Sequence, residues 1–395
     1  MAVAHDAITE SPTWTTASSP HTFNHTPSGT PRGVVLLIGA YTATNVISGL
    51  PTYGGVTMRA LGRISDAAGE TGTVWAYFLG ESVPTGTQTV SISHTATSAV
   101  KWAAVATVTA ASDTEAGSIV ISEQGLTNAT MQPAFYKGPT TGLAYQIAYN
   151  GGALTNLTLG AGCTDLNVED EQGGTQCMRV DRETNTSNGL ITNLGYTQIV
   201  ADDHAIIIVN VQEKASGAHV QGSYRPLTTT ATTTNTYAMQ GDLDGKDLFV
   251  FVTSRDSTSA SSNVTCTDNS GAGTWTSIAG DTDKKAWVFW KRGQAADVAA
   301  TVTIAQAVGS MTFDLLWTSG TGSGSDPTTN MSLETNASGD ETHAGIDPDD
   351  DGAVVLFSIH DYGNDTNAAT SITGATMGTL EPIWVESLSS GGSDC

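Results

Sequence analysis

A hairpin that occurs twice at one fixed spacing constrains this chain more than any other feature. Gly72-Thr73-Val74-Trp75-Ala76-Tyr77-Phe78-Leu79 leads through the turn Pro84-Thr85-Gly86 into Gln88-Thr89-Val90-Ser91-Ile92. Its aromatic and β-branched residues suit a pleated, half-buried surface. Lys285-Ala286-Trp287-Val288-Phe289-Trp290 and Ala300-Thr301-Val302-Thr303-Ile304 repeat the pattern. Trp287 stands 212 residues after Trp75, and Val302 stands 212 after Val90. Two strands that keep register over that distance predict a duplicated unit.

The rest of the chain hangs on that pair. Residues 34–38 form an unbroken apolar run, as in a strand covered on both faces, and residues 205–209 form another. Residues 100–109 alternate, and 142–149 is a further strand candidate. In the second half, 248–252 answers 34–38, 311–315 answers 100–104, and 352–357 answers 142–147. Short strands with frequent turns predict an all-β fold: two tandem, jelly-roll-like β-sandwich domains related by duplication. The expected boundaries are a first sandwich with an N-terminal arm over 1–214, a Thr-rich linker over 215–235, and a second sandwich over 236–395. Residues 1–30 are polar apart from Trp14 and Phe23 and read as an arm or a first edge strand.

The 212-residue offset places the partner of the closing strand 205–209 beyond Cys395. The second sandwich is therefore expected to be shortened at its C-terminus, with the run 383–385 aligning to 178–180. Its open edge would be filled by a neighbouring subunit or shell protein, or by residues 219–239 folding back.

Composition narrows the function. Asp and Glu number 39 against 15 Lys and Arg, a net charge of −24. Such a surface repels phosphate backbones and anionic lipid, so neither nucleic acid nor membrane is an expected partner. Cys163, Cys177, Cys266 and Cys395 show no zinc-ligand spacing; Cys163 and Cys177 could meet across a hairpin, but scattered thiols are more often free. No secretory leader pattern opens the sequence, and no run approaches membrane-spanning length. A cytoplasmic site of synthesis follows as the expectation.

The segments His25-Thr26-Pro27-Ser28-Gly29-Thr30-Pro31-Arg32-Gly33-Val34, Tyr53-Gly54-Gly55-Val56, Ala76-Tyr77-Phe78-Leu79-Gly80 and Pro84-x-Gly86-x-Gln88-Thr89-Val90 together resemble a β-sandwich module of tailed-bacteriophage virion structural proteins. The resemblance covers roughly residues 20–110; the second unit matches it in strand order only. It implies a capsid-surface or tail-associated structural role in the virion, assembled in the host cytoplasm. It carries no catalytic or cofactor residues.

Candidate chemistry is sparse. His204, His343 and His360 stand near acids at spacings that define no site. No Gly-x-Ser-x-Gly elbow occurs, and Gly271-Ala272-Gly273 lacks the strand-turn-helix setting of a phosphate loop. Asp242, Asp244 and Asp247, and again Asp347, Asp349 and Asp351, form oxygen-rich loops that could hold calcium. Asp and Gly are also ordinary turn formers, and that reading takes precedence, so no cofactor is expected. Trp14 and Phe23 are the candidates for particle attachment, since their segment offers them no evident core.

The expected function is a non-enzymatic virion protein that decorates a capsid or tail through homo-oligomeric contacts and contacts to the major capsid or tail protein. The alternative is a receptor- or glycan-binding adhesin on a tail fibre or capsid fibre. A secreted polysaccharide-active enzyme is the third reading, disfavoured by the lack of a leader and of a catalytic cluster.

Overall fold

A computed structural model describes residues 3–15, 19–66, 72–123, 130–131, 134–136, 141–184, 190–191, 193–200, 202–214, 219–224, 232–238, 247–254, 264–268, 275–281, 286–293, 299–308, 311–319 and 384–385. The protein is all-β: its strands form antiparallel sheets, and Leu154–Asn156 is a single 3-10 turn. Two compact units are distinguished. One comprises Met1–Ala215 with Glu381–Val385; the other comprises Ser216–Leu380 with Glu386–Cys395.

The first unit opens with β1 (Ala4–Glu10), β2 (His21–His25), β3 (Gly33–Ala40), β4 (Thr52–Tyr53), β5 (Val56–Thr57), β6 (Arg59–Asp66), β7 (Gly72–Leu79), β8 (Gln88–Ile92) and β9 (Lys101–Thr109). They build a five-stranded sheet, β1-β9-β3-β7-β6, and a smaller sheet, β2-β8-β4-β5. The chain continues through β10 (Thr114–Glu123), β11 (Thr130–Met131), β12 (Ala134–Tyr136), β13 (Gly142–Asn150), β14 (Leu157–Leu159), β15 (Cys163–Gln172), β16 (Gln176–Glu183), β17 (Leu190–Ile191), β18 (Tyr196–Gln198) and β19 (His204–Glu213). These give β10-β19-β13-β16-β15 and β11-β18-β14. The second unit holds β20 (His219–Tyr224), β21 (Thr232–Ala238), β22 (Asp247–Ser254), β23 (Val264–Asp268), β24 (Thr276–Asp281), β25 (Ala286–Arg292), β26 (Ala299–Val308) and β27 (Met311–Ser319). Its sheets are β20-β27-β22-β25-β24 and β21-β26-β23.

One strand order thus occurs three times. In each large sheet the last strand of the set lies between the first and the central strand, and a hairpin completes the other edge. The outer hairpin strand carries a register shift in all three: β6 between Ala60 and Gly62, β15 between Thr164 and Val168, and β24 between Ser277 and Ala279. Bulges at sheet edges twist the strand and blunt its pairing with other chains. Trp75 on β7 and Trp287 on β25 occupy the same strand of the plan, as do Val90 on β8 and Val302 on β26.

Several expectations change. Residues 1–214, read as one sandwich, contain two of the three sets. The plan of the first set closes at Thr109, so β27, not a strand beyond Cys395, is its counterpart; the large sheet of the second unit has all five strands. The 215–235 segment, read as a linker, contributes β20 and begins β21, because threonine is a strong strand former as well as a low-complexity residue. Of the two ways of covering an edge, β20 pairing with β27 is the fold-back within one chain. Trp384–Val385 forms β28 and pairs with β12 in the first unit, where alignment with 178–180 was expected. The run 352–357 lies outside the described residues.

In the first unit four layers stack. Val34, Leu36, Ile38, Trp75, Tyr77, Ala103 and Val105 turn one face of the first large sheet onto Tyr53, Val90 and Ile92 of its small sheet. The opposite face packs on the second large sheet through β3, β6 and β7 against β13 and β19. Gly39 and Gly72 make that approach possible: a Cβ on either would strike Met178 or the Tyr149 ring. Beyond it, Ala144, Ala148, Ile206 and Ile208 meet Leu157, Leu194 and Tyr196 of the next small sheet. Central strands β3, β13 and most of β19 are therefore buried on both faces, which is why they read as unbroken apolar runs.

Candidate functional site

Two buried polar networks come first. A register shift in β1 between His5 and Ala7 leaves Asp6 as the extra residue. Its carboxylate accepts from Gly29 N–H at 2.7 Å and Ser28 N–H at 3.2 Å, which fixes the loop between β2 and β3, and from Thr107 Oγ1 at 2.9 Å. With its hydroxyl proton committed to Asp6, Thr107 accepts from His25 Nε2 at 3.2 Å, and His25 Nδ1 accepts from Thr9 Oγ1 at 2.8 Å. That assigns the neutral, Nε2–H tautomer. Burial pushes His25 down to about 4. The chain of partners ends in threonines and a carboxylate already bonded to backbone, so it positions a loop and presents no nucleophile.

The second network joins β15, β16 and β18. Asp181, fully buried, accepts from Arg179 Nε at 2.7 Å, Tyr196 Oη at 2.9 Å and Leu166 N–H at 3.1 Å. Arg179 also pairs with Asp165 at 2.8 Å. Burial raises the Asp181 carboxyl, and these donors oppose the rise. Gln146 Oε1 accepts from Gly195 N–H at 2.7 Å. The Arg179, Asp181 and Tyr196 side chains bind one layer to the next, while Gln146 Nε2 is buried without a hydrogen-bond partner.

The residues singled out in sequence are dispersed. Asp247 is buried and its Oδ1 accepts from Arg292 at 2.7 Å and from Trp290 Nε1 at 3.3 Å, so that oxygen is engaged in holding β22 to β25. Asp242, Asp244, Asp347, Asp349 and Asp351 lie outside the described residues, as do His343 and His360. Among the described residues no group of three or more His, Cys, Asp or Glu could hold a metal ion. His204 is buried at the start of β19 and pushed down to about 4 by that burial. Cys163, Cys177 and Cys266 are not in disulfides; burial pushes Cys163 and Cys177 up to about 12. Cys395 lies outside the described residues. Among the described residues no helix is long and apolar enough to cross a membrane.

Trp14 and Phe23 are not on a free arm. Trp14 is 5% exposed, bridges Lys101 through backbone bonds of 2.8 and 2.9 Å, and stacks on His21 at 4.0 Å; Phe23 packs against the same core from β2. Of the two readings of residues 1–30, the edge strand is the one the chain adopts: β1 and β2 are the outer strands of their sheets. Nothing local in the sequence reveals this, because Lys101, the backbone partner of Trp14, comes from about ninety residues away.

Among the described residues the large hydrophobics that reach solvent are Leu50, Ile199 and Val200, with 53%, 72% and 68% of their surface exposed. Ile199 and Val200 crown the β18–β19 loop. Asn156 clamps that loop: its carbonyl accepts from Ile199 N–H at 2.9 Å, its Oδ1 from Val200 N–H at 2.7 Å, and its Nδ2 donates to Val200 O at 2.9 Å. Gln198 and Asp202 close the far side with reciprocal bonds of 2.9 and 3.1 Å. Sequence reading passed over this pair because Ile and Val beside a strand look like core. Comparison with family models, with curated proteins and with solved structures finds no match to this chain.

Proposed function

We propose that this chain is a non-enzymatic structural component of a tailed-bacteriophage particle, decorating the capsid surface or the tail. The observation that carries the reading is the recurrence of one strand order three times along a single chain. A tandem of like β-sandwich-like sets supplies contact surface without requiring a reaction centre, and we take the sets to descend from one duplicated unit. The virion context comes from the resemblance over residues 20–110. Its turn glycines support that reading: Gly54 and Gly55 have φ of 57° and 82° in the two-residue turn between β4 and β5, and Gly86 has φ of 73°. The buried histidine and arginine networks are committed to holding layers and loops together, which fits a scaffold. The partners are the major capsid or tail protein and further copies of the chain, joined in the host cytoplasm during assembly.

Quantitative mass spectrometry of purified particles, with the major capsid protein as internal standard, tests the reading. Decoration predicts copies on the order of hundreds, matching a repeating lattice site. About a dozen or fewer points to a fibre adhesin, and absence from the particle overturns the proposal.

A further inference from the structure

We propose that Ile199 and Val200 form a pre-organised docking tip for a protein surface whose apolar pocket is bordered by lysine and arginine. This inference rests on the particle reading above and names the chemistry of the contact. The tip is rigid before it meets anything: Asn156 holds both backbone amides of the pair and one carbonyl, and Asn156 is itself held by its own N–H bond to Ala153 O at 2.8 Å. Both side chains are β-branched and stiff at χ1, so little rotamer freedom remains to be lost on contact. Leaving two such side chains in water is unfavourable by about 25 cal/mol for each Å² of apolar surface, and a covering pocket recovers that.

The rim decides the partner's charge. Glu171, Cys177, Asn150 and His204 form one row across β15, β16, β13 and β19. The β18–β19 loop lies just past that row, tied to it by Gly151 N–H bonding to Asp203 O at 2.9 Å. Exposed Glu171 and half-buried Asp202 therefore stand at the tip's end of the sheet, on a chain of net charge −24. Asp202 Oδ1 accepts from Asp203 N–H at 2.9 Å, and Glu171 stands three strands from β19, so the negative field at this end of the sheet is broad, and an apolar pocket with cations around it complements it. A second copy of this chain, with 39 acids against 15 bases, and an anionic lipid surface both match that charge poorly.

The test uses the full-length chain and its Ile199→Ser/Val200→Ser variant, each added to purified particles carrying none of the protein. Equal thermal melting of the two proteins is expected, because the replaced side chains are mostly solvent-exposed. Wild type is expected to bind, and to bind more weakly as salt rises from about 50 to about 500 mM. The variant is expected to lose affinity by about tenfold or more, and Glu171→Lys by a smaller factor. Equal binding by variant and wild type overturns the docking tip and leaves the particle reading standing. A wild type that binds no particle overturns both. Self-association of the wild type that disappears in the variant, read by sedimentation velocity, overturns the assigned occupant in favour of a second copy.

Discussion

His25 is held neutral by threonine hydroxyls on both ring nitrogens and by complete burial. His204 is buried as deeply at the head of β19. Both are pushed from 6.5 to about 4 by the loss of water around the charged form. Between about pH 4 and 6.5 the folded state binds fewer protons than the unfolded chain, so stability rises with pH across that window. The contribution is complete above pH 6.5 and is lost as pH falls toward 4, by at most about 3 kcal/mol for each histidine. Urea midpoints should therefore fall between about pH 7 and pH 4.5. His25→Asn, which cannot titrate, should unfold more easily at neutral pH yet show a shallower pH dependence. A wild-type midpoint that is level across this range contradicts the assignment.

Single elements are joined by charge as well as by apolar packing. Arg179 and Asp181 on β16 reach Asp165 on β15 and Tyr196 on β18. Arg179→Met leaves the Asp181 carboxyl buried without its cation and should cost about 3–5 kcal/mol, read from denaturant unfolding. The double variant Arg179→Met/Asp181→Leu should recover much of that loss, because no buried charge is stranded. Equal losses in single and double variants would show that packing, not charge, dominates there.

The elements also differ in how openly the sequence states them. Residues 34–38 and 205–209 are legible as central strands because burial on both faces removes the alternation that other strands keep. The glycines at 54, 55 and 86 are legible as turns because only their backbone freedom suits positive φ. The burial of Trp14 is illegible, since β1 and β9 meet only after ninety residues of intervening chain. The charge pairing of Asp247 is illegible for a similar reason: Arg292 lies on another strand, and an acidic loop looks the same with or without it. Asn156 as a clamp leaves no local trace, because its partners Ile199 and Val200 lie more than forty residues away.

At the scale of the whole molecule the repeated hairpin led to an expectation of two like units, whereas one strand order occurs three times among the described strands. Its 212-residue spacing connects the first set to the third and passes over the second, whose strand β16 carries no tryptophan. Gly142, which opens β13, and Asp247, which opens β22, stand 105 residues apart; in sequence Gly352 follows Asp247 by the same interval. The strand order, not any shared side chain, is what the three sets have in common, and amide hydrogen exchange of the full-length chain distinguishes strands bonded on both sides from strands bonded on one. Central strands β3, β13 and β22 are bonded to neighbours on both sides, whereas outer strands β6, β15 and β24 are bonded on one side only. Peptide-resolved exchange should show each central strand more protected than the outer strand of its own set, three times over. Exchange in β13 as fast as in β15, or in β22 as fast as in β24, would contradict a single plan used three times.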